Sequence, residues 1–282
     1  MADFEEVQLD RTPAPRAQPP SRLLPAVILV VVCCALAAGW YYMHRNADAG
    51  RPVTVHDEDI VPQATAAAPV AAAQLPPLDE SDDLVRELVG ALSRHPIVAA
   101  WLTTDQLIRT FAVSVMNVAS GDTPAAHLST IRPERRFQTR QRGSRAYIDP
   151  HSYSRFDAHA AAVSGLDPEG AGRLYTRLKP RIEEAYREVA GPNASLDRAV
   201  RQAIAQLLAT PVVEGEIAVE PRTVGYAYAD PTLESLSPAQ QQLLRMGPQN
   251  VRLVQQQLRA IAHQIGIDDS SLPAERVIRS GG

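Results

Sequence analysis

Six arginines, Arg132, Arg135, Arg136, Arg140, Arg142 and Arg145, fall within fourteen residues, opposed in that stretch only by Glu134. A guanidinium is a planar fork of donors that matches phosphate and carboxylate oxygens. If the stretch is a hairpin, Arg136, Arg140 and Arg142 share a parity and present their forks on one face. Such a face is a candidate anion- or partner-binding surface for phosphates, lipid headgroups or cell-wall carboxylates. The bland alternative is an ordinary solvated hairpin. The other reactive residue types are scattered. Histidines stand at 44, 56, 95, 127, 151, 159 and 263. His151 and His159 read as two turns apart on one helix, too far for one face to chelate, so surface or capping roles are expected and no metal site. Cys33 and Cys34 are adjacent in an apolar run, which leaves nothing for a disulfide framework, a zinc site or a thiol nucleophile elsewhere. Glycoside cleavage needs two carboxyls facing each other across a cleft; neighbours such as Glu183 and Glu184 point apart on a helix and read as a solvated face. Phe111, Tyr175 and Tyr186 recur at helical spacing and read as core. The chain has no G-x-S-x-G, H-E-x-x-H, P-loop or glycine-rich dinucleotide turn, and no cofactor is expected.

The elements that must position these residues begin late. Residues 1–22 hold four prolines among mixed charges and are expected to be a disordered cytoplasmic segment. Residues 23–43, Leu23 to Met43, carry no charged side chain and end on Trp40, Tyr41 and Tyr42. As a helix the run spans about 31 Å, enough to cross a bilayer. Ala35-Leu36-Ala37 also resembles a signal cleavage site, but the long acidic leader favours a retained anchor. Arg11, Arg16 and Arg22 before the span against Arg45 and Arg51 after it favour the N-terminus inside. The rest of the chain is then expected on the periplasmic side of a bacterial inner membrane. Residues 44–78 are alanine- and proline-rich and read as a flexible linker.

Residues 79–267 read as a mainly helical globular domain with a small β-hairpin element, and residues 268–282 as a flexible tail. Ser81 is a candidate helix cap, Thr103 with Gln106 has capping-box spacing, and Gly121 is a stop. Asp149-Pro150 and Asp167-Pro168 each open a helix, the second kinked at Pro180. Ser195 opens another, and Ser237-Pro238 with Gln240 is a capping box. Phe137 to Asp149 reads as a hairpin turning at Gly143, and Ile217–Val219 with Val224–Tyr228 as a second short pair. In Met246-Gly247-Pro248-Gln249-Asn250, Gly247 ends one helix and Pro248 starts the next. Overall charge is −4, with 28 basic against 32 acidic residues, which argues against a nucleic-acid binder. The 45 % apolar and 21 % charged fractions argue against wholesale disorder.

The string LPPLDESDDLVRELVGALSRHPIVAAWLTTDQLIR from Leu75, RLKPRIEEAYREVAG near residue 177 and LSPAQQQLLRMGPQNVR near residue 236 together resemble the proteobacterial domain-of-unknown-function family 3014. The resemblance covers residues 75–266. It implies a Gram-negative envelope protein with a membrane anchor, a spacer and this domain, and carries over no catalytic or binding residue. Two function classes stand. The favoured one is a non-enzymatic envelope module that binds or scaffolds a protein or wall polymer. The other is a peptidoglycan hydrolase with dispersed acidic residues.

Overall fold

The computed structural model describes residues 75–280; the expected leader, the Leu23 to Met43 span and most of the linker lie outside the described residues. The first helix, α1 (Asp82–Leu92), turns Val85 and Val89 into the core, and Pro96 starts the short α2 (Pro96–Trp101). Ser81 does not cap α1. Its backbone is already helical, and its hydroxyl donates to the Leu78 carbonyl at 2.7 Å. The expected box at Thr103 and Gln106 is absent too. Helix α3 (Leu107–Ala119) is capped from outside: the Asp82 carboxylate accepts the backbone N–H groups of Gln106 and Leu107 at 2.7 and 2.8 Å. This satisfies two of the donors a helix start leaves open, and Gln106 takes a left-handed conformation, φ 54°, to aim them.

Helices α4 (Asp157–Ser164), α5 (Pro168–Ala190) and α6 (Leu196–Leu208) follow. Asp149-Pro150 opens only a single 3-10 turn, and α4 starts seven residues later. Asp167 caps α5 through the Gly170 N–H at 2.7 Å, and the helix continues through Pro180 to Ala190. Ser195 caps α6, as its spacing implies. After the sheet come α7 (Pro231–Glu234), α8 (Pro238–Leu244) and α9 (Pro248–Gln264). The Ser237–Gln240 capping box is present with both reciprocal bonds. Helix α3 packs between α5 and α6, and α9 lies across α4, α5 and α6. Leu107, Tyr175, Ile204, Leu207 and Leu258 are fully buried where these faces meet.

The sheet is a separate packing unit. Strands β1 (Thr139–Arg142), β2 (Arg145–Ile148), β4 (Ala218–Pro221) and β5 (Tyr226–Tyr228) form one antiparallel sheet in the order β1-β2-β4-β5. Gly143, at φ 62°, makes the two-residue turn that joins β1 to β2 with Arg142 opposite Arg145. Ala146, Ile148, Val219 and Tyr228 pack with Leu233 and Leu244 into a second apolar cluster. In a flat sheet the outer strands β1 and β5 would stand about 14 Å apart. Here the rings of Phe137, just before β1, and Tyr226, on β5, are 5.4 Å apart, so the sheet coils until its edges approach.

Both ends of the domain are more ordered than their composition implies. Within the expected linker, Leu78 is buried, and the Arg181 guanidinium holds the Pro76 and Leu75 carbonyls at 2.7 and 3.1 Å. Within the expected tail, Leu272 is buried and β6 (Val277–Arg279) pairs in parallel with β3 (Val212–Glu214), Val213 opposite Ile278. Among the described residues no helix is long and apolar enough to cross a membrane.

Candidate functional site

Arg140 and Arg142, two apart on β1, point the same way and converge on one carboxylate. Arg140 Nη2 lies 2.5 Å from Glu216 Oε1 and Arg142 Nη1 lies 2.9 Å from Oε2. Glu216 sits in the turn between β3 and β4. The two guanidinium side chains remain 45 % and 72 % exposed, so each bridge is in water's reach and contributes about 0–1 kcal/mol. Arg136 does not join them. It precedes β1, outside the strand, and is exposed without an ion pair among the described residues. Arg132, Arg135 and Arg145 likewise make no ion pair among the described residues. The hairpin therefore carries Arg140, Arg142 and Arg145, with Arg132, Arg135 and Arg136 in the segment leading into it, against Glu134 and Glu216. Beyond the strand, Asp149 accepts the His151 N–H at 2.8 Å. That bond and the His151 ring hold its carboxyl below the usual range, with Arg140 adding to the effect.

A second arginine group lies behind the sheet. Arg155, in the 3-10 turn before α4, places its guanidinium carbon 4.6 Å over the Phe156 ring and 5.4 Å from the Phe137 ring. Its Nε and Nη2 are buried without a hydrogen-bond partner among the described residues. Burial, then the positive charge of Arg245, push this guanidinium down to about 10. Arg245 closes α8 beside the Tyr228 hydroxyl. Burial raises Tyr153 and Tyr228 to about 12. Gly247, at φ 83°, lets the α8–α9 turn press on Tyr153: a Cβ there would stand 2.4 Å from the Tyr153 Cγ. Asn250 fastens the same corner through Asp157 Oδ1 at 2.9 Å and the Met246 carbonyl at 3.1 Å. Gly247 and Pro248 thus separate two helices as their residue types imply, and the glycine also makes room for a ring. Nothing local in the sequence marks Arg155 and Arg245, which are ninety residues apart.

The remaining candidates take structural places. His95 caps α2, its Nδ1 accepting the Ile97 N–H at 3.2 Å. His151 and His159 do not share a helix. His151 is in the 3-10 turn, whereas His159 is buried on α4 with Nε2 at 2.6 Å from the Ile131 carbonyl. Burial pushes the His159 ring pKa down. Among the described residues no group of three His, Cys, Asp or Glu side chains is placed to hold a metal. Glu183 and Glu184 pair along α5 with Arg187 and Arg181, as a solvated face does. Phe111, Tyr175 and Tyr186 are core. Between α1, α3 and α5 a cavity of about 30 Å³ is lined by Val85, Leu107, Phe111 and Leu178, with Trp101 on its wall. It has room for about two waters.

Residues 107–262, more than half of the chain, match the model of the family described as protein of unknown function (DUF3014), and the chain belongs to that family. The matched stretch runs from the first residue of α3 into α9 and contains both arginine groups and Glu216. No curated protein matches the chain, and neither does any solved structure.

Proposed function

We propose that this member of the DUF3014 family is a single-pass, membrane-anchored module of the bacterial cell envelope that binds rather than transforms its partner. Its domain faces the periplasm and docks on an anionic surface through the β1–β2 hairpin. The observation that carries the reading is the hairpin itself. Six arginines crowd the two-stranded arm and the segment that leads into it, three of them on the strands, and the two that pair share a single glutamate while staying wet. From Asp79 onward the chain counts 23 basic against 24 acidic residues, so a local excess of this size dominates the surface potential. The uncharged run Leu23 to Met43 and the Ala/Pro spacer support an anchor that lets the domain reach away from the bilayer.

Two measurements test it. A periplasm-active reporter fused after Gly282 gives activity on this account; activity only from a cytoplasm-dependent reporter would overturn the topology. Crosslinking in membranes recovers a wall polymer or envelope protein with the native chain, and the yield falls with Arg136→Gln, Arg140→Gln and Arg142→Gln combined. An unchanged yield would remove the hairpin from the reading.

A further inference from the structure

We propose that Arg155 and Arg245 form a binding site for a phosphate oxyanion, set in the junction between the coiled sheet and the turn that joins α8 to α9. The site is independent of the hairpin. Its first support is which atoms lack partners. Nε and Nη2 are the two donors on one edge of a guanidinium, parallel and spaced to grip two oxygens of one anion. On Arg155 both are without a hydrogen-bond partner among the described residues. Elsewhere in the molecule the same edge is filled: Arg109 uses Nε and Nη2 to hold the Glu188 carboxylate at 2.7 and 3.1 Å.

The second support is the company Arg155 keeps. Buried polar groups normally find partners, and buried charges find counter-charges. A second cation, Arg245, lies within electrostatic reach of Arg155, and neither makes an ion pair with a carboxylate among the described residues. The nearby acids are committed. Asp157 accepts the Asn250 amide at 2.9 Å, and Glu234 accepts the Tyr228 backbone N–H at 2.8 Å. Two like charges brought together against apolar rings are stabilised by an anion between them. A phosphate near neutral pH carries between one and two negative charges, which matches two guanidinium groups, whereas a lone carboxylate neutralises one. The gripping edge of Arg155 is closed to solvent, so an anion enters by displacing the half-buried Phe137 ring that lies against the guanidinium.

Binding of inorganic phosphate to the full chain in neutral detergent tests the proposal, with sodium chloride at equal ionic strength as control. The expected result is saturable binding and a phosphate-dependent rise in melting temperature. Arg245→Gln, at a half-exposed position, should keep the fold and weaken phosphate binding about tenfold or more. The same variant without phosphate should melt no lower than wild type, because a repelling neighbour has been removed. Arg155→Lys should also weaken binding, since a point charge cannot replace the fork. Arg140→Gln with Arg142→Gln should leave phosphate binding unchanged, which separates this site from the hairpin. Short-chain phosphatidylglycerol that displaces the phosphate identifies a lipid headgroup as the source of the group, and phosphate retained against it identifies a free oxyanion; either upholds the site. No saturable binding by wild type, or a shift that Arg245→Gln leaves intact, overturns it.

Discussion

The two arginine groups put one residue type into opposite surroundings. On the hairpin, Arg140 and Arg142 share Glu216 and keep much of their side chains in water. Behind the sheet, Arg155 rests against two rings with two donors unpartnered and a second arginine for a neighbour. Exposed pairs are screened and contribute little to stability, yet their summed field reaches outward. A buried cation has the reverse character: little outward field, and a desolvation cost that a specific counter-charge must offset. Crowding of arginine in the sequence therefore marks a surface, and the absence of a local counter-charge marks a site.

The comparison breaks most visibly at Gly247. Its positive φ and the 2.4 Å approach to Tyr153 leave no room for a methyl group. Gly247→Ala should destabilise the protein by about 2–4 kcal/mol, combining left-handed strain with overpacking, as read by chemical denaturation. A loss below about 1 kcal/mol would mean that the corner around Arg155 yields easily.

Arg155→Met sharpens the contrast next. Removing a half-buried charge that has no carboxylate partner should be neutral or stabilising by about 1 kcal/mol, and a loss of more than about 2 kcal/mol would make the guanidinium a structural part of the core. The pH dependence carries a sign of its own. Between pH 10 and 12 the folded chain keeps the protons of Tyr153 and Tyr228, raised to about 12, which the unfolded chain loses, so stability falls as pH rises. Arg155 works the other way, because it gives up its proton near 10 when folded and keeps it when unfolded. Tyr186, also raised by burial, adds to the tyrosine side, so wild type should weaken with rising pH over that window and Arg155→Met should weaken more steeply. An identical slope in the two proteins would mean that Arg155 titrates at its ordinary value.

At the hairpin the expected effects on stability are smaller. Glu216→Gln releases Arg140 and Arg142 from the partner they share and should change stability by about 1 kcal/mol or less. It also adds one positive charge to the arm, so binding to anionic vesicles should strengthen, by up to about 1 kcal/mol near the surface. Weaker vesicle binding would show that Glu216 organises the arm rather than masking it.

What the sequence revealed follows the range of the interactions. The turn at Gly143, the Ser237–Gln240 capping box and the stop at Gly121 are set by residues a few positions apart, and all three form. Thr103 fails as a cap because Asp82, 24 residues before Gln106, supplies that cap across the fold, and Ser81 fails because its hydroxyl turns back to the Leu78 carbonyl. The parallel pairing of β3 with β6 joins segments 65 residues apart, so its short strands read as loop and tail. Of the three arginines sharing a parity, Arg140 and Arg142 are brought together and Arg136 is not, because β1 begins only at Thr139. Arg155 and Arg245, ninety residues apart, come within electrostatic reach of each other only in the folded chain.

The most direct test of the division between the two groups uses a fragment of residues 75–282, which contains both apolar clusters. Cosedimentation with phosphatidylglycerol vesicles is measured at low and high salt for wild type, for Arg136→Gln with Arg140→Gln and Arg142→Gln, and for Arg245→Gln. The account predicts salt-sensitive binding by wild type, lost in the triple hairpin variant and retained in Arg245→Gln. Wild type that fails to bind at low salt, or a triple variant that binds as well as wild type, would contradict it.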